Sequence, residues 1–264
     1  MHAEYARAID DIFAGARHWR MWARLGWQEV RRRYRRTVIG PFWTTLSLGI
    51  FVLSLSVVWA KLWNQPVATY LPFVSAGIIT WTLVSALITD GCLTFVANEG
   101  LIKQLQISFT LLVISTVWRN VIVFFHNIAI LAFVFVILRQ PPGLALLLVV
   151  PGMFLLCING AWMGLIFGMA CARYRDLQQL IGSVLQVAIF VTPVFFMPSQ
   201  LGGSRLYFVE LNPLFHLIDI VRAPLLSTLP SGTTWGCVIL LAVVGWSVTL
   251  VLFARFRRRV AFWL

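Results

Sequence analysis

Charged side chains are scarce in this chain of 264 residues: they make up 11% of it, whereas 60% of the residues are hydrophobic and the mean hydropathy is +0.87. Soluble domains carry about 25% charged and about 45–50% apolar residues. A soluble fold of this length could not bury so much apolar surface. The composition therefore predicts an integral membrane protein.

Acidic residues are the rarer charge, since nine Asp and Glu stand against 21 Lys and Arg and the net charge is +12. In a soluble protein such an excess would favour nucleic-acid binding. Here nine of the basic residues precede Pro41, and four more lie within the last ten residues. Basic ends around an apolar middle are typical of membrane topology signals, so we predict no nucleic-acid partner.

Catalytic and metal-binding motifs are also missing. The four cysteines form no CxxC pair, and the chain has no GxxxxGK[ST] phosphate loop, no HExxH, no GxSxG and no repeated Asp-rich loop. We therefore expect no disulfide, metal site, cofactor or catalytic residue in this chain, and we expect a partner to supply the energy for any uphill transport. The first 40 residues are charged and lack an early apolar core, so we expect no cleaved signal peptide.

Long apolar stretches are what the sequence does contain. Six of them approach or exceed the roughly 20 helical residues that a bilayer core requires. They lie at about 42–62, 71–92, 118–138, 144–171, 179–197 and 234–254. We predict an all-α membrane protein with six transmembrane helices, together with short re-entrant helices before the last span.

The distribution of Lys and Arg predicts the orientation of these spans. With an even number of spans both ends share one face, and that face collects 17 basic residues against four on the other. Because basic loops stay in the cytoplasm, both termini are predicted to be cytoplasmic.

The segment before the first span, residues 1–41, predicts a surface helix and an elbow. Apolar residues and Trp recur at spacings of three and four over residues 4–36, a pattern typical of an amphipathic helix in the headgroup plane. Gly40-Pro41 then breaks the helix before the chain enters the membrane. Its arginine cluster is predicted to anchor the elbow to anionic headgroups; it comprises Arg31, Arg32, Arg33, Arg35 and Arg36.

Two predicted cytoplasmic connections are either simple surface turns or docking points for a partner. The first covers residues 93–117, where Asn98 is expected to cap a short helix. The second is the short "ARYRDL". Their candidate contact residues are Glu99, Leu101, Ile102, Lys103, Arg173, Arg175 and Asp176.

The segment 198–233, on the opposite face, is apolar but broken by Pro213 and Pro224, so neither half can span a bilayer. It predicts a pair of short helices that dip into the outer leaflet as a gate, with Asp219 and Arg222 close enough to pair. The candidate gate residues are Glu210, Asn212, Pro213, His216, Asp219 and Arg222.

Small and polar residues inside the spans predict helix packing more than chemistry. Gly160, Gly164 and Gly168 lie on one face of the fourth span, where they favour close helix contact, within the chain or across a dimer, over a substrate groove. His126 and Asn127 in the third span favour interhelical hydrogen bonds over a proton relay.

Taken in order, "RYRRTVIGPFW", "EGLIK", "RYRDL" and "NPLFHLIDIVR" resemble the permease subunit of ABC-2 type polysaccharide exporters, and O-antigen exporters in particular. The resemblance covers almost the whole chain. One departure is "QLQISF", residues 104–109, where relatives often have a proline.

This resemblance implies a homodimer joined to two copies of a separate ATPase subunit, which binds ATP and Mg²⁺. It implies export of glycans linked to undecaprenyl diphosphate across the bacterial inner membrane. The coupling elements would be the N-terminal helix, Glu99 to Lys103 and Arg173 to Asp176, and the gate would cover roughly 199–230. The resemblance also implies that a lipid diphosphate arrives at the arginine cluster, which then either only anchors the elbow or also binds the diphosphate.

Two alternatives stay open at this point. One is a permease of the same family with another cargo, such as teichoic acid, capsule or a drug. The other is a membrane enzyme that acts on lipid-linked sugars, which the missing acidic motifs disfavour.

Overall fold

The computed structural model describes residues 2–35, 40, 42–105, 107–141, 143–198 and 209–264. Every regular element in these ranges is helical, which confirms the all-α class. The α-helices are α1 (His2–Arg17), α2 (Trp19–Arg33), α3 (Phe42–Leu62), α4 (Val67–Ala97), α5 (Glu99–Gln104), α6 (Phe109–Leu138), α7 (Val149–Arg173), α8 (Leu177–Val191), α9 (Pro213–Leu225) and α10 (Gly232–Trp263). A 3₁₀ helix, Leu144–Leu148, leads directly into α7.

Five helices among the described residues are long and apolar enough to cross a membrane: α3, α4, α6, α7 with its 3₁₀ start, and α10. Helix α8 is apolar but has 15 residues, so it is about 22 Å long, short of the roughly 30 Å of a bilayer core. The sixth crossing therefore stays a prediction.

The path of the chain after α7 nevertheless runs the length of the bundle. The C-terminal half of α7 meets the end of α4, where Gly168 packs on Phe95. After α8, the hydroxyl of Tyr70, near the start of α4, donates to the carbonyl of Phe195. The stretch from the end of α7 to Phe195 thus passes from one end of α4 to the other.

The predicted connection at 93–117 is shorter than expected. Helix α4 continues to Ala97 and α6 begins at Phe109, because the hydroxyl of Ser108 accepts from the backbone N–H of Leu111 and caps α6. The predicted cap at Asn98 is wrong: its side chain donates to the carbonyl of Thr94 and does not cap α5.

The N-terminal segment is two helices and not the single one predicted. Helix α1 ends at Arg17 and α2 starts at Trp19, and His18 between them leaves helical geometry while its ring bonds the carbonyl of Ala14 at 2.6 Å. Gly40, the described part of the predicted break, has a φ of +61°, which favours glycine.

Helix α4 forms the centre of the molecule, with α6 and α7 packed along it and α3, α8 and α9 around it. The closest approach joins α4 to α7: a Cβ on Gly91 would lie 2.9 Å from the Cα of Gly164. Two glycines therefore let these helices touch backbone to backbone, as small residues do in membrane bundles.

Candidate functional site

The arginine cluster occupies the end of α2 and the residues after it. Arg31, Arg32 and Arg33 form the last turn of α2, where positive charge complements the negative end of the helix dipole. These three and Arg35 are exposed, and none of the ion pairs in the described part of the chain involves them. Arg36 and Pro41 lie outside the described residues. The exposed guanidinium groups are thus open to phosphate groups.

Helix α2 is fastened to the bundle by an ion-pair cluster. Arg119 of α6 pairs with Glu29 of α2 and, at 2.8 Å, with Asp90 of α4. Beside it, a Cβ on Gly26 would meet the carbonyl of Ser115 at 2.8 Å, so α2 lies directly against the backbone of α6. Arg119 is one of the 17 basic residues assigned to the predicted cytoplasmic face, and the structure shows that it joins α2, α4 and α6.

Helix α1 is fastened by a second cluster, around the fully buried carboxylate of Asp11. One oxygen accepts from the hydroxyl of Ser108 at 2.8 Å and from the backbone and hydroxyl of Thr110. The other accepts two bonds from Arg257 of α10, at 2.9 and 2.6 Å. One carboxylate thus binds the surface helix, the start of α6 and the C-terminal helix together. The two chain ends lie at the same end of the bundle.

The first candidate coupling segment, α5, contains an exposed ion pair, with Lys103 Nζ 2.6 Å from Glu99 Oε1. The hydrogen bond from Lys103 holds the pKa of the Glu99 carboxyl below its usual range, and the charge of Arg175 adds to this effect. Leu101 and Ile102 are half-buried on the same short helix.

The second candidate coupling segment lies close to the first. The guanidinium of Arg173 stands 5.3 Å from the ring of Trp263, near the C-terminus, and 5.2 Å from that of Tyr174. Arg175 and Asp176 are exposed, and Asp176 precedes α8 without capping it through its side chain. The structure therefore brings the two predicted connections to the same end of the molecule as both chain ends.

At the opposite end, Asn212 and Pro213 start α9 as their residue types predict. The side-chain oxygen Oδ1 of Asn212 accepts from the backbone N–H of Leu214 at 3.0 Å, and its side-chain amide donates to the hydroxyl of Thr192 at 3.0 Å. Pro213 occupies the first turn of the helix. Residues 199–208 of the predicted gate lie outside the described residues, so α9 is the one helix of the predicted pair described in full.

The remaining gate residues form a buried network. Arg222 donates to the carbonyl of Pro193 at 2.5 Å and to Asp219 at 3.0 Å, which confirms the predicted pair. Its guanidinium also lies over the ring of Phe73 at 4.7 Å and is 3% exposed. These contacts hold α9 against α4 and against the chain after α8.

His216 extends this network to α10. Its Nε2 donates to the carbonyl of Glu210 at 2.7 Å, so its Nδ1, 3.2 Å from the hydroxyl of Thr234, accepts in the neutral ring. That hydroxyl also lies 3.4 Å from Asp219. Glu210 contributes only its backbone carbonyl here, and its side chain stays exposed. The described side chains of Asp219, Arg222 and His216 thus bond other helices or the backbone, so the network positions helices.

The glycines of α7 face other helices of the same chain. A Cβ on Gly160 would meet Leu87 at 2.9 Å and one on Gly164 would meet Val113 at 2.7 Å, while Gly168 packs on Phe95. This face of α7 is thus filled by α4 and α6.

The polar residues of the third span also bond within the protein. Asn127 accepts from Thr45 of α3 at 3.1 Å, and the ring of His126 bonds the carbonyl of Ile122 at 2.7 Å. Among the residues that the structure describes, no three His, Cys, Asp or Glu side chains lie where they could hold a metal ion.

Large apolar faces of α3 and α8 remain uncovered in the single chain. On α3 these exposed side chains are Phe42, Trp43, Leu46, Ile50, Phe51, Leu53, Val57, Val58 and Leu62. On α8 they are Leu180, Val184, Val187, Phe190 and Val191. Such surfaces contact lipid or another membrane helix.

Sequence analysis missed the structural roles of Asp11, Glu29, Arg119 and Arg257. A signal did exist for two of them: Asp11 shares a helix face with Ala8 and Gly15, and Glu29 lies between Gly26 and Val30. An acid on the small or apolar face of an amphipathic helix indicates a buried partner. The identity of that partner required the fold.

The chain belongs to the ABC-2 type transporter family, whose model matches residues 21–226. It is thus a multi-pass membrane permease, as its motifs predict. Two curated proteins from Klebsiella pneumoniae, both named O-antigen export system permease protein RfbA, are 20% and 19% identical over 197 and 195 residues, each match covering 72% of this chain and 74% of the relative. A protein of the same name from Myxococcus xanthus is 21% identical over 198 residues, which cover 74% of this chain and 76% of the relative.

Proposed function

We propose that this protein is the membrane-spanning subunit of an ATP-driven exporter that moves a lipid-linked polysaccharide, of the O-antigen class, out of the cytoplasm. The observation that carries this proposal is the match to three O-antigen export permeases across about three quarters of both chains. The four motifs "RYRRTVIGPFW", "EGLIK", "RYRDL" and "NPLFHLIDIVR" support the same proposal. The cargo lipid is undecaprenyl diphosphate and the membrane is the bacterial inner membrane.

We propose that residues 1–41 lie on the cytoplasmic face and that residues 42–264 form the transmembrane domain, with both termini in the cytoplasm. The Asp11–Arg257 contact supports this arrangement, because it joins α1 to the end of α10 at one end of the bundle. The segment 198–233, around α9, then forms the periplasmic gate.

The partners in this proposal are a second copy of the chain and two copies of an ATPase that binds ATP and Mg²⁺. The exposed apolar faces of α3 and α8 support a dimer, because a channel for a glycan needs more wall than these helices supply alone. The adjacent segments Glu99–Lys103 and Arg173–Asp176 transmit ATPase movement, since the first is partly exposed, the second is exposed and both lie near the chain ends.

The exposed arginines at the end of α2 receive the lipid diphosphate in this mechanism. One guanidinium group can bind two oxygens of a phosphate at once. The arginines at the end of α2 stand where the chain turns from the membrane surface into α3. Because they form no ion pair with the described residues, binding of a diphosphate breaks no ion pair there.

The test replaces Arg31, Arg33 and Arg35 by Gln and measures export of the glycan by cells that contain the assembled complex. We expect export to fall at least tenfold, since three charge-assisted contacts are lost. A matched variant replaces Arg255, Arg258 and Arg259 by Gln, which removes the same charge from the last helix and leaves export near the wild-type rate. Wild-type export by an assembled complex of the first variant contradicts the diphosphate role.

The cargo itself is tested by identifying the glycan lipid that co-purifies with the complex. An undecaprenyl-diphosphate polysaccharide supports the O-antigen class. A teichoic acid, a capsule glycan or a drug in its place assigns another cargo to the same family. Turnover of a lipid-linked sugar by this chain without an ATPase would contradict the permease role.

A further inference from the structure

Helices α1 and α2 meet at His18 in a second elbow, which is distinct from the one at Gly40. An apolar cavity of about 510 Å³ lies beneath this α1–α2 elbow. Trp22 of α2, Trp118 of α6 and Trp246 of α10 line it, with Phe154 and Ala161 of α7. The Trp246 indole N–H donates to the carbonyl of Ile158 at 3.2 Å, so its ring and not its polar atom faces an occupant. Its volume is within the range of about 300–1,000 Å³ typical of ligand sites, whose lining is mostly apolar.

A basic pocket of about 440 Å³ lies on the other side of the same elbow. Arg17, Arg20 and Arg24 line it, all three are exposed, and no Asp or Glu is in the lining. Within the described ranges, none of the ion pairs uses these arginines. Their exposed guanidinium groups are therefore available to an anion at this place.

Consecutive residues connect the two compartments. Ala16 and Trp22 line the apolar cavity, whereas the adjacent Arg17 and Met21 line the basic pocket. A ligand that fills both has an apolar chain and an anionic headgroup only a few bonds apart. That is the chemistry of an anionic phospholipid in the leaflet on which α1 and α2 lie.

We propose that this elbow is a binding site for one anionic phospholipid, with an acyl chain in the apolar cavity and its phosphate at Arg17, Arg20 and Arg24. The bound lipid holds the elbow against α6 between the two points at which protein contacts fasten it, Asp11 and Glu29. A bilayer phospholipid fits better than the cargo, because an undecaprenyl chain has several times the carbon atoms of an acyl chain. The site does not depend on the export role.

The test measures binding of phosphatidylglycerol and of phosphatidylcholine to the delipidated full chain in detergent, with any ATPase that co-purifies, by native mass spectrometry. The wild type is expected to prefer phosphatidylglycerol. Replacing Arg17, Arg20 and Arg24 by Gln should lower its affinity about fivefold per arginine, and should lower the affinity for phosphatidylcholine, whose choline compensates the phosphate charge, by a smaller factor. The matched variant with Gln at Arg255, Arg258 and Arg259 should retain the preference.

A second variant, Ala16→Phe, fills the mouth of the cavity from an exposed position and should weaken both lipids by the same factor. Equal binding of the two lipids by the wild type, an equal loss in the matched variant, or unchanged binding by Ala16→Phe would each overturn the proposal. Displacement of phosphatidylglycerol by undecaprenyl diphosphate at an equal or lower concentration would assign the site to the cargo and overturn it as well.

Discussion

The two ends of this bundle use buried charge in different ways. At the end that carries both chain termini, the clusters around Asp11 and Arg119 join helices far apart in sequence, and their arginines, Arg257 and Arg119, are 29% and 16% exposed. At the other end Arg222 is enclosed, pairs with Asp219 one turn away, and bonds a carbonyl of another segment. The clusters around Asp11 and Arg119 fasten α1 and α2 to the bundle, whereas the pair of Arg222 and Asp219 lies in its interior.

This difference has an energetic consequence. An arginine that reaches water, such as Arg257 or Arg119, can be hydrated when its partner moves away, which lowers the cost of separating the pair. Breaking an enclosed pair leaves a charge without water or a partner and costs several kcal/mol. We therefore expect the end with α9 to be rigid, and the surface helices α1 and α2 to be the parts that can detach.

The largest effect is expected for Arg222→Met, which leaves Asp219 and the carbonyl of Pro193 without their donor. The protein should lose about 3–5 kcal/mol of unfolding free energy, measured as a lower unfolding temperature in detergent. Arg139→Met, which removes an exposed guanidinium at the end of α6, should change stability by less than about 0.5 kcal/mol. Equal effects of the two substitutions would show that the enclosure of Arg222 adds nothing to stability.

An intermediate effect is expected for Asp11→Asn, because an amide cannot compensate Arg257 and accepts fewer of the bonds that the carboxylate receives. We expect a loss of about 2–3 kcal/mol, together with faster hydrogen exchange in α1 than in α9. The adjacent Asp10 is exposed, so Asp10→Asn is the matched control and should change neither quantity. Exchange that rises equally in α9 would show that the clusters belong to one cooperative unit.

The smallest effect is expected for the exposed pair of α5. Because the pKa of Glu99 is lowered by Lys103, the pair is intact at neutral pH and is lost as the pH falls through that lowered value. Lys103→Gln should raise the pKa of Glu99 toward its usual range, seen by carbon-13 NMR of labelled glutamate with Glu99→Gln for assignment. The unfolding temperature at neutral pH should not change, since exposed pairs contribute little. A large drop would place this pair with the enclosed ones.

Sequence patterns predicted the bounds of helices well where neighbouring residues determine them. The bounds of α3 follow from an apolar run after Gly40, and the start of α9 follows from Asn212 and Pro213. Asn98 shows where local inference fails, because its side chain bonds the preceding turn and leaves α5 uncapped. The division of the surface segment at His18 was missed for a similar reason: the apolar periodicity continues through a residue that leaves helical geometry.

The sequence by itself determined the class of protein, because apolar length and charge placement act residue by residue against the membrane and need no partner. It also determined the family, through motifs in a fixed order. Only the tertiary structure decided which charges are enclosed and which are exposed. Asp10 and Asp11 are neighbours of the same type, yet one is exposed and the other receives Arg257 from 246 positions away. The free energy of a charge depends on what surrounds it in space, and packing brings those surroundings together from distant parts of the chain.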